Sequence, residues 1–124
     1  MMIAVDTSSL RRYLAGESGP DTDAMADLLA QRQLVLPPVV VTEVLSEPRL
    51  LRSTAARIAA IPVLEILDGY WVRAGELRAK VLGGGNKAKI ADALVAQICI
   101  DHRVRLLTYD RDYRHFLRWG LVLA

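Results

Sequence analysis

The sequence predicts an α/β fold with a short-stranded, mainly parallel central sheet. Short apolar runs such as Ile3-Ala4-Val5, Leu34-Val35-Leu36 and Arg105-Leu106-Leu107 recur between longer segments of helical spacing. That alternation is what parallel strands joined by right-handed helical crossovers require. Acidic residues also follow several of these runs, at the edge where an open parallel sheet collects ligands.

Residues 2–5 read as a buried strand. Thr7 to Leu14 reads as a helix, with Thr7 or Ser8 near its N-cap and Gly16 beyond its end. After the turn Glu17 to Pro20, the segment Asp21 to Gln31 places Met25, Leu28 and Leu29 on one helical face. Leu34 to Leu36 is a second strand, stopped by Pro37-Pro38. Val39 to Ser46 then reads as a helix despite its valines, because a strand directly after two prolines would be out of place. Pro48 suits the start of a helix running to about Ala60. Val63 to Ile66 reads as a third strand, and Asp68 as the cap of a helix reaching about Leu82. Gly83-Gly84-Gly85 reads as a flexible connector. Ile90 to His102 is an apolar helix to be buried against the sheet, Arg105 to Leu107 a fourth strand, Asp112 to Arg118 a short helix, and Leu121 to Leu123 a last strand.

The chain has 124 residues, the length of one domain spanning 1–124, and 52% of them are hydrophobic, which excludes disorder. No apolar run approaches a bilayer span, so no membrane association is expected. The strand-like opening with Asp6 does not resemble a signal peptide. Cys99 is the only cysteine, which rules out an intrachain disulfide and fits a cytoplasmic location. The formal net charge is only +2, but if several acids gather in one site the remaining surface is basic. Arg103, Arg105, Arg111, Arg114 and Arg118 crowd the last quarter, and Lys80, Lys87 and Lys89 flank the glycines. Each alone is an ordinary solvated side chain; together around an acidic hole they suit a polyanion bridged by a cation.

Four acids carry the chemistry. Asp6 ends the first strand, Glu43 interrupts the apolar segment Val39 to Leu45, Asp92 opens the helix Ile90 to His102, and Asp110 follows the fourth strand in the turn Thr108-Tyr109-Asp110. Asp6 alone would pass as a helix cap, Asp92 as a first-turn acid and Asp110 as a turn residue. Glu43 on an apolar helix has no comparable structural role. Anions packed together repel and raise one another's pKa, a penalty that a divalent cation removes. Oxygen-only ligation selects Mg²⁺, with Mn²⁺ also suitable, over zinc. Asp112 reads either as a cap of the last helix or as a fifth, outer acid. Glu47, Glu65, Glu76 and Asp101 read as surface charges.

Other chemistries lack their residues. Cys99 and His102 begin a zinc spacing, but only His115 remains to join them, which favours structural roles. No nucleophile elbow, P-loop or dinucleotide fingerprint is present. Trp71, Tyr70 and Tyr13 read as core or interface anchors. Leu10, Tyr13, Leu14, Leu50 and Leu51 fit either the core or an apolar groove for a partner helix.

The segments Val5-Asp6-Thr7-Ser8, Thr42-Glu43-Val44-Leu45, Ala91-Asp92-Ala93-Leu94-Val95-Ala96 and Leu107-Thr108-Tyr109-Asp110-Arg111-Asp112-Tyr113 resemble, in order and over nearly the whole chain, the PIN-domain ribonucleases, and within them the VapC toxins of toxin–antitoxin pairs. The resemblance implies a PIN-like α/β/α sandwich, Mg²⁺- or Mn²⁺-dependent endoribonuclease activity, a small cognate antitoxin and a homodimer. It matches Asp6, Glu43, Asp92 and Asp110 to the family's catalytic, metal-holding acids and Thr7, Ser8 and Thr108 to supporting polar positions. Asp112 falls at a position that is often acidic, and Tyr113 stands where the family more often has Phe. Two other readings remain open: a phospho-acceptor receiver-like domain, with Asp68 as acceptor, and a catalytically silent PIN-fold module that only binds.

Overall fold

A computed structural model describes residues 1–124. Its elements are β1 (Ile3–Val5), α1 (Thr7–Leu14), α2 (Pro20–Ala30), β2 (Leu34–Val35), α3 (Pro38–Leu45), α4 (Arg52–Ala59), α5 (Tyr70–Gly83), α6 (Ile90–His102), β3 (Arg105–Leu107) and a 3-10 helix, Arg111–Trp119. The strand order is β2-β1-β3, all parallel, with Ala4 facing Val35 on one side and Leu106 on the other. The expected α/β architecture is therefore present, with the first strand at the centre.

The two outer strands expected at 63–66 and 121–123 are each reduced to a single parallel bridge, Leu36 with Val63 and Leu106 with Leu123. On the first edge the cause is the proline pair. Leu36 exchanges backbone bonds with Pro62 and Leu64, but Pro37 and Pro38 have no N–H to continue the ladder. On the other edge Leu106 bonds to Val122 and Ala124, and β3 ends one residue later, at Leu107.

Helix ends depart from expectation at three places. Asp6, rather than Thr7 or Ser8, is the N-cap of α1, and its carboxylate accepts from the Ser9 N–H. α4 begins at Arg52 instead of Pro48, after a turn in which the Glu47 side chain accepts from the Arg49 N–H. Asp68 does not cap α5. Gly69 does, in the left-handed region at φ 80°, and a Cβ there would meet the Arg73 guanidinium at 2.7 Å. That guanidinium donates to the Asp68 carbonyl and forms a two-pronged pair with Asp101, which is therefore an enclosed partner rather than a surface charge.

The core is one cluster that runs from β1 through α6 to the 3-10 helix, with Ala4, Val5, Met25, Leu36, Leu106 and Phe116 shut off from solvent. α6 is apolar nearly all round because it is enclosed nearly all round. Of the leucines and tyrosine considered for a partner groove, Leu10 is buried, Tyr13 and Leu50 are packed against the core, and only Leu14 and Leu51 are exposed. The glycine connector is anchored at its far side, where Arg78 donates to the carbonyl of buried Ala88 and His115 bonds the Lys87 carbonyl. No helix is long and apolar enough to cross a membrane.

Candidate metal centre

The site forms at the carboxyl ends of two neighbouring strands. β1 ends at Val5 and delivers Asp6; β3 ends at Leu107 and delivers Thr108, Tyr109 and Asp110. Because β1 and β3 are parallel and in register, both deliveries fall on one edge of the sheet.

Asp6 is 3% exposed and its carboxylate accepts from three donors. Oδ1 accepts from the Ser9 N–H at 3.1 Å, Oδ2 accepts from the Thr108 hydroxyl at 2.8 Å, and the Ser8 hydroxyl lies between both oxygens at 2.8–2.9 Å. Burial pushes the Asp6 carboxyl above its ordinary value. The Thr108, Ser9 and Ser8 donors oppose that shift, and the charge of Asp110 adds to it.

Glu43 arrives from α3. The Thr7 hydroxyl donates to its Oε1 at 2.7 Å, which ties α3 to the start of α1 and places Glu43 at the same edge. Arg11 reaches its backbone carbonyl at 3.2 Å. Asp92 occupies the first turn of α6, where the helix N-terminus favours negative charge. Even so its carboxyl is pushed up to about 6, first by burial and next by Asp110, against the Tyr113 hydroxyl and Lys89, which favour the charged form. Tyr113 is buried, and burial together with the charges of Asp6 and Asp92 raises its own hydroxyl pKa. It therefore stays a neutral donor.

Asp110 and Asp112 order each other. The Asp110 N–H donates to the Thr108 hydroxyl oxygen at 2.9 Å, and the Asp110 carboxylate caps the 3-10 helix by accepting from the Asp112 N–H at 2.9 Å. Asp92, Asp110 and Asp112 can each turn one carboxylate oxygen into a group no wider than 4.8 Å. This trio is the tightest acidic cluster in the protein. Asp6 and Glu43 stand outside it, although Asp6 is coupled to both Asp92 and Asp110 through its charge. Asp112, read from sequence as a cap or an outer acid, thus sits beside Asp110, and the cap is Asp110 itself. The donor set is oxygen alone, it is anionic beyond what its neighbours neutralise, and it fits a hard divalent cation.

The residues of the weaker readings lie elsewhere. Asp68 is exposed and joins no acidic cluster. Cys99 is buried with its thiol pushed up to about 12, and His102 bonds the Glu65 carbonyl, so no zinc set assembles. Sequence reasoning missed the support under the site. Ser9, shut off from solvent, donates to Asp21, and Asp21 holds Arg12 through two bonds at 2.9 and 3.3 Å. The only signal for it was the placing of Ser9 beside Leu10, on the face of α1 that turns inward.

The sequence of residues 3–117 matches the family model described as PIN domain. The chain belongs to the PIN-domain family. No curated protein matches it in sequence. In structure this PIN domain is similar to a chain of VapBC2 from Rickettsia felis, solved bound to a DNA fragment from their promoter, with a TM-score of 0.75, 16% identity, and coverage of 100% of this chain and 98% of that one. It is similarly close to a chain of FitAcB from Neisseria gonorrhoeae, with a TM-score of 0.73, 18% identity, and coverage of 98% and 96%. At these identities the likeness is one of fold.

Proposed function

We propose that this PIN domain is a divalent-cation-dependent endoribonuclease and the toxin of a toxin–antitoxin pair. The observation that carries the reading is the convergence of Asp92, Asp110 and Asp112 beside buried Asp6, at the carboxyl edge of a parallel sheet. Family membership and the fold shared with VapBC2 and FitAcB chains support it.

Asp92, Asp110 and Asp112 would hold a Mg²⁺ or Mn²⁺ ion, with Asp6 and Glu43 orienting water at its border. When bound, such an ion acidifies water for attack on a phosphodiester and offsets charge that develops on the phosphate. The chain's own residues prepare that place. Thr108 and Ser8 keep Asp6 aimed, Thr7 fixes one oxygen of Glu43 and leaves the other for water, and the Tyr113 hydroxyl favours the anionic form of Asp92. Arg111 and Arg114, exposed beside Asp110, would meet the phosphate backbone. No side-chain nucleophile is needed.

The reading brings with it a cytoplasmic protein of one domain, a small antitoxin and a homodimer. Trp71, Leu82 and Ile90, exposed around a cleft of about 330 Å³ on α5 and α6, offer an apolar surface for a protein partner.

The test is cleavage of single-stranded RNA with Mg²⁺, with Mn²⁺ and with chelator. Asp6→Asn should abolish cleavage while the fold persists, because the amide oxygen still accepts from the Ser9 N–H and the Ser8 hydroxyl, and the Thr108 hydroxyl oxygen can turn to accept from the new amide NH2. Full activity in a clean Asp6→Asn preparation would overturn the assignment. A fold that is stabilised by millimolar Mg²⁺ but cleaves nothing would identify a binding module instead.

A further inference from the structure

The acidic cluster has an aromatic neighbour whose side chain lies outside the core. Tyr109 lies between Thr108 and Asp110, is 60% exposed, and contributes nothing to the core cluster. Its ring is nevertheless held in place. The Arg12 guanidinium lies over one face, 3.8 Å from the ring centre. Arg12 is itself locked by Asp21 and by the Ser18 carbonyl at 3.1 Å. With one face covered and most of the residue exposed, the opposite face is open to solvent. Beside it runs a cleft of about 220 Å³ whose walls include Asp110, Arg111 and Arg114. Neither arginine has an ion-pair partner.

A fixed, half-open aromatic ring next to two unpaired cations matches the two parts of an unpaired nucleotide, a base with a π-face and an anionic phosphate. We infer that Tyr109 is a stacking platform for a single unpaired RNA base flanking the scissile phosphate, with Arg111 and Arg114 receiving that nucleotide's backbone and Arg12 holding the ring. This rests on the nuclease reading and deepens it. It makes the substrate single-stranded at that position, because a base already paired and stacked in an A-form duplex has no free face to offer. The guanidinium stacked beneath the ring fixes its angle in advance, so little side-chain freedom is lost on binding.

The experiment uses labelled oligouridine and fluorescence anisotropy, in an Asp92→Asn background that prevents cleavage. Tyr109→Ala should bind about tenfold more weakly, while Tyr109→Phe and Tyr109→Trp should keep the affinity. An abasic site moved along the oligonucleotide should weaken binding at one position in the Tyr109 protein and should have no effect at that position in the Ala variant. In the cleaving protein Tyr109→Ala should raise KM with a smaller effect on kcat, and duplex RNA should bind both proteins alike. Equal single-strand affinity for Tyr109 and Ala would overturn the platform while leaving wild-type cleavage, and with it the nuclease reading, standing. Failure of the wild type to cleave, together with failure of every variant to bind RNA, would overturn both.

Discussion

Thr108 donates its hydroxyl to Asp6 at 2.8 Å across 102 positions of chain, and the same oxygen accepts the Asp110 N–H. One hydroxyl therefore joins the acid after the central strand to the acid after its neighbour. Replacing it should disturb both ends at once. Thr108→Val, equal in shape, removes a donor from a buried carboxylate and an acceptor from a backbone amide, and should cost about 1–3 kcal/mol in urea unfolding. Thr108→Ser keeps both bonds and should lie close to wild type.

Asp92 sets stability against function. Its folded pKa of about 6 lies above the ordinary 3.8, so the folded state holds a proton that the unfolded chain has released. The stability linked to it is fully present below pH 3.8 and is lost as pH rises through about 6. Without metal, Asp92→Asn should flatten this window. It should also raise stability near neutral pH by on the order of 1 kcal/mol, a modest figure because water still reaches and screens the carboxylate. The same variant should lose the rise in Tm that the proposed function expects Mg²⁺ to give the wild type. Scanning calorimetry at several pH values, with and without Mg²⁺, reads both effects.

Asp21 works in the opposite direction. The Arg12 hydrogen bonds hold its carboxyl below the ordinary value, so its stabilisation is present above about pH 4 and is lost as pH falls through its lowered folded pKa. Asp21→Asn should be the less stable protein at pH 7, and the gap from wild type should narrow as acid protonates Asp21. Urea melts across that acid range would show the convergence; a gap that stays constant with pH would contradict it.

Asp101 tests how far sequence reading reaches. Its run in α6 ends in polar residues and suggests a solvated charge, yet it accepts from Arg73 at 2.7 and 3.0 Å and from buried Gln97 at 2.8 Å. Asp101→Ala should cost about 1–3 kcal/mol, because it leaves the Gln97 amide without its acceptor. Double substitution with Gln97→Leu should recover part of that loss in chemical denaturation.

The error at Asp101 has the same origin as the other departures. Strand and helix order was legible because apolar periodicity is local, and Asp6, Glu43, Asp92 and Asp110 stood out because charge in or beside apolar runs is rare. Partners far apart in sequence leave no such mark. Arg73 meets Asp101 across a helix pair, Arg12 meets Tyr109 across nearly the whole chain, and the Asp110–Asp112 geometry depends on a 3-10 turn that a helical pattern does not distinguish. Likewise the strand at 63–66 carried the right residues, but its ladder failed for want of N–H groups on its neighbour at Pro37 and Pro38.

The strand order β2-β1-β3 has a consequence for synthesis. The central strand, β1, is made before both neighbours, and its second neighbour, β3, with the acids that follow it, comes about a hundred residues later. Until Leu107 to Asp112 have emerged, Asp6 lacks its Thr108 donor and Asp92 lacks both companions of its cluster. A nascent chain, or one cut short before β3, carries three of the acids but cannot assemble the cluster. Any hydrolytic capacity that depends on this cluster therefore waits until Leu107 to Asp112 have docked beside β1.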